Sequence, residues 1–157
     1  MRLRPELDGG SLMDVGAYCV NGARLLAGEP ELVVGRQVVG RTGVDVRFAG
    51  VLHFPGDILA HFVCGFDLPF SSVLEAVGAE ATAVVADPWM CRDPHVLVDG
   101  ERLDVEDADR YRLELENVSR AIMGDEEPLL GRADAVGQAK AIEALYRSAA
   151  TGNAVRV

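Results

Sequence analysis

The sequence predicts an α+β domain: an open, mostly antiparallel β-sheet with helices packed on one face. Three observations lead there. Residues 46–54 and 58–66 alternate strictly on either side of Pro55-Gly56-Asp57, a hairpin turn signal. Val46, Phe48, Gly50, Leu52 and Phe54 share one face with Ile58, Ala60, Phe62, Cys64 and Phe66, and such a wholly apolar face must be covered. Three stretches with helical spacing, 9–28, 107–123 and 133–151, are long enough to cover it.

Residues 1–8 read as a connector. Residues 9–28, GGSLMDVGAYCVNGARLLAG, predict one long buried helix, opened by Asp8-Gly9-Gly10 and stopped by Gly28-Glu29-Pro30. At about 100° per residue, Leu12, Gly16, Cys19, Ala23 and Leu26 share one side, with Met13, Ala17 and Val20 beside them. The opposite side carries Asp14, Tyr18 and Asn21. Val-rich residues 31–41 read as a strand and 42–45 as a turn. After the 46–66 hairpin, Pro69-Phe70-Ser71-Ser72 breaks the sheet. Residues 73–78 and 81–86 read as two further strands, and Asp87-Pro88-Trp89 closes the pair. Trp89 reads as a packing group. Residues 95–98 and 102–105 flank Asp99-Gly100, a tight-hairpin signal. In 107–123, Tyr111, Leu115, Val118 and Ile122 form one stripe. In 133–151, Val136, Ala139, Ile142, Ala144, Leu145 and Ala149 form the face predicted to be buried. Residues 154–157 suit a final strand. The strands number about six to eight, in a single domain spanning 1–157.

Composition narrows the function. The 157 residues are 49% hydrophobic and 25% charged, as expected of a globular chain able to build a core. A net charge of −10 leaves no cationic footprint for nucleic acid or for an anionic membrane surface. No apolar run reaches the length of a spanning helix. Cys19, Cys64 and Cys91 lack CxxC spacing, and Cys19 and Cys64 sit in apolar runs that suit buried free thiols. These features point to a cytoplasmic protein.

The Asp14, Tyr18, Asn21 stripe has two readings. It is a solvated or internally satisfied polar stripe, or it is the floor of a polar site. In the second reading Tyr18 gives and takes a proton, while Asp14 and Asn21 orient it or a hydroxylated ligand. The second face of the 46–66 hairpin, with Ala49, Val51, Leu59 and Val63, is too apolar to be left in water. It suggests pairing with a second copy, with a covering loop or domain as the alternative. His53 and His61 share that face without a ligand spacing. Two interface histidines are the plainer reading than a metal site. The acidic run from Glu101 to Asp109 and the triplet Asp125-Glu126-Glu127 read as a solvated edge and a loop.

Three stretches carry a resemblance. Residues 9–30 pair Gly9-Gly10 with Asp14 and Tyr18. Residues 73–89 end in Asp-Pro-Trp. Residues 133–157 join a helix to a closing strand. In that order they resemble the C-terminal domain of the Gfo/Idh/MocA oxidoreductases, in the branch of glucose–fructose oxidoreductase and dihydrodiol dehydrogenase. The resemblance implies a substrate-binding and dimerisation domain of an NAD(P)-dependent enzyme acting on a CH–OH group of a sugar or polyol. It implies Tyr18 and Asp14 as the catalytic pair and Asn21 as a substrate contact. Family members also carry a Rossmann domain with a Gly-rich turn and a Glu-Lys-Pro motif whose lysine is catalytic. A phenol ordinarily ionises near ~10, so it needs a nearby cation to act as a base, and in relatives that lysine supplies it. Neither motif occurs here, and Lys140 is the only lysine. The expectation is therefore a chain that binds no NAD(P) tightly by itself. It would be inactive without a Rossmann partner, from the same gene product or a separate chain. The alternative is a non-catalytic dimeric sheet module that binds a protein partner or a small ligand.

Overall fold

The structure is a computed structural model that describes residues 2–157. Eight strands and three α-helices confirm the α+β class, and every strand pair is antiparallel. The strands divide into two ladders of four, and the chain into two compact units: Met1–Pro69 with Ala133–Val157, and Phe70–Arg132.

The first unit holds β1 (Leu32–Val39), β2 (Asp45–Phe54), β3 (Ile58–Gly65) and β8 (Val155–Arg156), in the order β3-β2-β1-β8. The predicted alternation holds. Phe48, Leu52 and Phe54 of β2 are buried with Phe62 and Cys64 of β3, while Arg47, Ala49 and Val51 face out. Two helical layers cover the buried face. One is a π-helical segment, Leu12–Gly16, that runs directly into α1 (Ala17–Ala27). The other is α3 (Arg132–Thr151). Leu12, Val20, Ala141, Ile142, Ala144 and Leu145 meet the sheet there. Ser148, fully buried, joins α3 to β1: its hydroxyl donates to the Asn153 carbonyl at 2.6 Å and accepts from the Gly35 N–H at 2.9 Å.

The second unit holds β4 (Val73–Val77), β5 (Thr82–Ala86), β6 (His95–Val98) and β7 (Glu101–Asp104), paired in sequence order. Asp99 and Gly100, with φ of 50° and 84°, make the tight turn that their dipeptide predicts. Helix α2 (Arg110–Met123) is capped by Asp109, whose carboxylate accepts from the N–H groups of Tyr111 and Arg112. It ends at Gly124 in the left-handed region.

Four expectations need correction. The apolar part of the first helix is not buried all round: Met13, Leu25 and Leu26 are exposed and Cys19 is only half-buried. A π turn advances less per residue than an α turn, so a wheel drawn at 100° misplaces residues beyond it. The α2 stripe of Tyr111, Leu115, Val118 and Ile122 is exposed, and α2 has no buried residue. Val136 and Ala139 of α3 are exposed as well. Finally, Asp45, expected in a turn, opens β2 and is 3% exposed.

Candidate active site

Asp14 sits inside the π-helical segment and Tyr18 on the first turn of α1, about one helical turn on. Asn21 follows, half-buried. The change from π to α winding thus falls between the two residues predicted to act together, and such π segments are frequent at functional sites. Tyr18 is 53% exposed. Asp14 is held by Arg2, whose Nε lies 2.7 Å from Oδ2, and the Arg2 guanidinium lies 5.8 Å from the Phe66 ring centroid.

Asp45 anchors the start of the segment. Its Oδ2 accepts from the Ser11 hydroxyl at 2.6 Å and from the Leu12 N–H at 2.8 Å, and its Oδ1 accepts from the Tyr146 hydroxyl at 3.0 Å. A carboxylate from a distant strand therefore caps a helix that has no side-chain cap of its own. Burial and the neighbouring Asp45 charge push the Tyr146 phenol far above the ordinary tyrosine range, so it stays a neutral donor. Gly10, at φ 141°, passes so close that a Cβ there would collide with the Asp45 carboxylate. Gly9, Met13, Asp45 and Tyr146 border a cleft of about 540 Å³, with Glu143 and Arg147 on its wall.

Sequence reasoning missed Asp45 for an identifiable reason. Strict alternation from Phe48 puts residue 45 outside. The register between β1 and β2 shifts between Val38 and Val39, pairing Val39 with Asp45 while Val38 pairs with Arg47. The extra residue reverses the parity and turns Asp45 inward.

Arg24 was also missed. It is 5% exposed on a helix read as apolar. Its guanidinium donates twice to Glu29, at 2.9 and 2.5 Å, and lies 3.0 Å from an Asp134 carboxylate oxygen. It also donates to Gln138 Oε1 at 2.9 Å, and Gln138 Nε2 donates to the Ala17 carbonyl at 2.8 Å. This network ties the backbone beside Tyr18 to α3. Arg24 holds the Glu29 carboxyl below the usual range, chiefly through their hydrogen bonds. Burial pushes the Cys64 thiol up to about 12, so it is an inert core group. Among the described residues, no three His, Cys, Asp or Glu side chains converge as a metal site.

A family model for the GFO/IDH/MocA C-terminal domain matches residues 1–84, just over half of the chain. The chain belongs to the Gfo/Idh/MocA oxidoreductase family and corresponds to its C-terminal domain. It is 33% identical to D-xylose 1-dehydrogenase (NADP(+)) 2 of Haloferax volcanii, over 100% of this chain and 51% of that protein. It is 33% identical to trans-1,2-dihydrobenzene-1,2-diol dehydrogenase of Sus scrofa, over 59% of this chain and 28% of that one. The crystal structure of aldose-aldose oxidoreductase from Caulobacter crescentus, complexed with glycerol, superposes with a TM-score of 0.87 at 27% identity, over 99% of this chain and 50% of that one. The chain thus spans about half or less of the length of these relatives.

Proposed function

We propose that residues 1–157 are the substrate-binding and dimerisation domain of a cytoplasmic NAD(P)-dependent oxidoreductase acting on a CH–OH group of a sugar-like or polyol substrate. The observation that carries this reading is the Asp14–Tyr18 pair. A part-exposed acid and an exposed phenol stand a turn apart where the helix changes its winding, in a chain of this family. The relatives' names point the same way, to an aldose and to a diol with adjacent hydroxyls. In this reading the Tyr18 hydroxyl exchanges a proton with the substrate oxygen. Asp14 orients the substrate, and Asn21 bonds a neighbouring hydroxyl.

The residues described do not fit NAD(P) itself. All their strand pairs are antiparallel, so there is no βαβ turn to cradle a pyrophosphate. The cofactor is held by a Rossmann domain, in the same polypeptide or in a separate chain. The open face of β1–β3 supports pairing with a second copy: Val34, Val38, Val51, Leu59 and Val63 are all exposed on it.

The test is Tyr18→Phe, assayed with the chain joined to its cofactor half. Turnover of a polyol falls about 10²-fold or more while the melting temperature is unchanged. A Tyr18→Phe enzyme with full turnover refutes the assignment.

A further inference from the structure

The Gly9-Gly10 pair has a structural consequence for the site. The connector folds back across it: the Gly9 N–H donates to the Arg4 carbonyl and the Gly10 N–H to the Arg2 carbonyl, each at 3.0 Å. A Cβ on Gly9 would stand 2.5 Å from the Arg2 carbonyl oxygen and 2.9 Å from that of Arg4. Only a bare backbone lets residues 2–4 lie there, and this fold-back delivers the Arg2 side chain to Asp14.

The resulting pair is not a stability device. The Arg2 side chain is 67% exposed, and exposed ion pairs contribute on the order of 0–1 kcal/mol. Its geometry suits recognition instead. Asp14 Oδ2 is shut off from solvent beneath the guanidinium and has no well-aligned hydrogen bond. The exposed third of the side chain is therefore its other oxygen and its carbons. On Arg2, Nε is the guanidinium nitrogen nearest the carboxylate, and the side chain, 67% exposed, leaves guanidinium donors open to solvent. An outward acceptor and outward donors thus stand side by side, with the guanidinium steadied by the Phe66 ring. A vicinal diol matches this edge, because one hydroxyl accepts while its neighbour donates. An anionic ligand matches poorly, since the Asp14 charge and the net charge of −10 both oppose it.

We propose that Arg2 is a specificity-determining residue, which with Asp14 binds two adjacent hydroxyls of a neutral polyol one turn before Tyr18. This rests on the reading of Asp14 and Tyr18 as the substrate face. The test titrates the chain and its Arg2→Gln variant with trans-cyclohexane-1,2-diol and with the trans-1,4 isomer, following amide and tyrosine ring resonances by NMR. The chain shifts at Asp14 and Tyr18 with the 1,2-diol and more weakly with the 1,4-diol. Arg2→Gln weakens the 1,2-diol about tenfold and leaves the 1,4-diol unchanged. Undiminished 1,2-diol binding by the variant, or no preference between isomers in the parent, overturns the role of Arg2 and leaves the substrate face standing. No shift at Asp14 or Tyr18 with either diol removes the substrate face itself. Unchanged resonances elsewhere in Arg2→Gln establish that the variant is folded.

Discussion

At the residue scale, close approaches and paired charges set what can change. Gly10 is the sharpest case, because it combines a positive φ with contact to the Asp45 carboxylate and the Tyr146 hydroxyl. Gly10→Ala is expected to cost about 2 kcal/mol or more through strain and a disturbed buried carboxylate, read from urea denaturation. Glu29 carries a pH signature. Its hydrogen bonds to Arg24 hold its folded pKa below the ordinary glutamate value, so its contribution is present above the unfolded value and is lost as pH falls through the folded one. Glu29→Gln should therefore flatten the stability loss below about pH 4.5, while near neutrality it shows the plain cost of the lost ion pair. A Glu29→Gln profile that parallels the parent through the acid range would show that Arg24 does not perturb Glu29. Asp14 and Tyr18 were legible as a polar stripe because their spacing survives the π turn. Arg24 was not, because nothing local distinguishes an arginine that will be buried from one that will be solvated. Its partner Glu29 is five residues on, but Asp134 and Gln138 come from the far end of the chain.

At the element scale, the first helix is shaped by what it packs on. Gly16 closes the π-helical segment, and a Cβ there would stand 2.7 Å from Cys64 Sγ on β3. Gly16→Ala should cost about 1–3 kcal/mol by overpacking, and Cys64→Ala in the same chain should recover part of it by opening the space. Thermal melts of the two single variants and the double variant measure the coupling. Additive losses would mean that the two residues do not compete for one volume. The strands were legible because alternation over eight or ten residues leaves little freedom of register. The bulge at Val38/Val39 was not, and with it went the placement of Asp45. Helix α2 reads correctly from its amphipathic spacing, yet its apolar stripe is exposed. Periodicity identifies a face and does not say what meets it.

At the scale of the whole molecule, the exposed face of the first sheet decides the expected assembly. Val51 and Val63 lie on it on adjacent strands, and neither is needed by the buried core on the other side. Val51→Asp combined with Val63→Asp is expected to convert a dimer to a monomer at micromolar concentration without unfolding it, as measured by sedimentation and circular dichroism. A parent chain that already sediments as a monomer removes the pairing.

The sequence by itself determined the α+β class, the hairpins, the helix spans and the placing of Asp14 and Tyr18 a turn apart on the first helix. Each rests on local periodicity, turn chemistry or a short motif, all of which act over a few residues. Tertiary structure alone decided that Asp45 caps the first helix, that Arg24 and Gln138 tie it to α3, and that Arg2 reaches Asp14. Those contacts join residues that only a bulged register, a close helix crossing or a folded-back connector brings together. Such long-range closure depends on the packing of the whole chain rather than on the preferences of any one stretch.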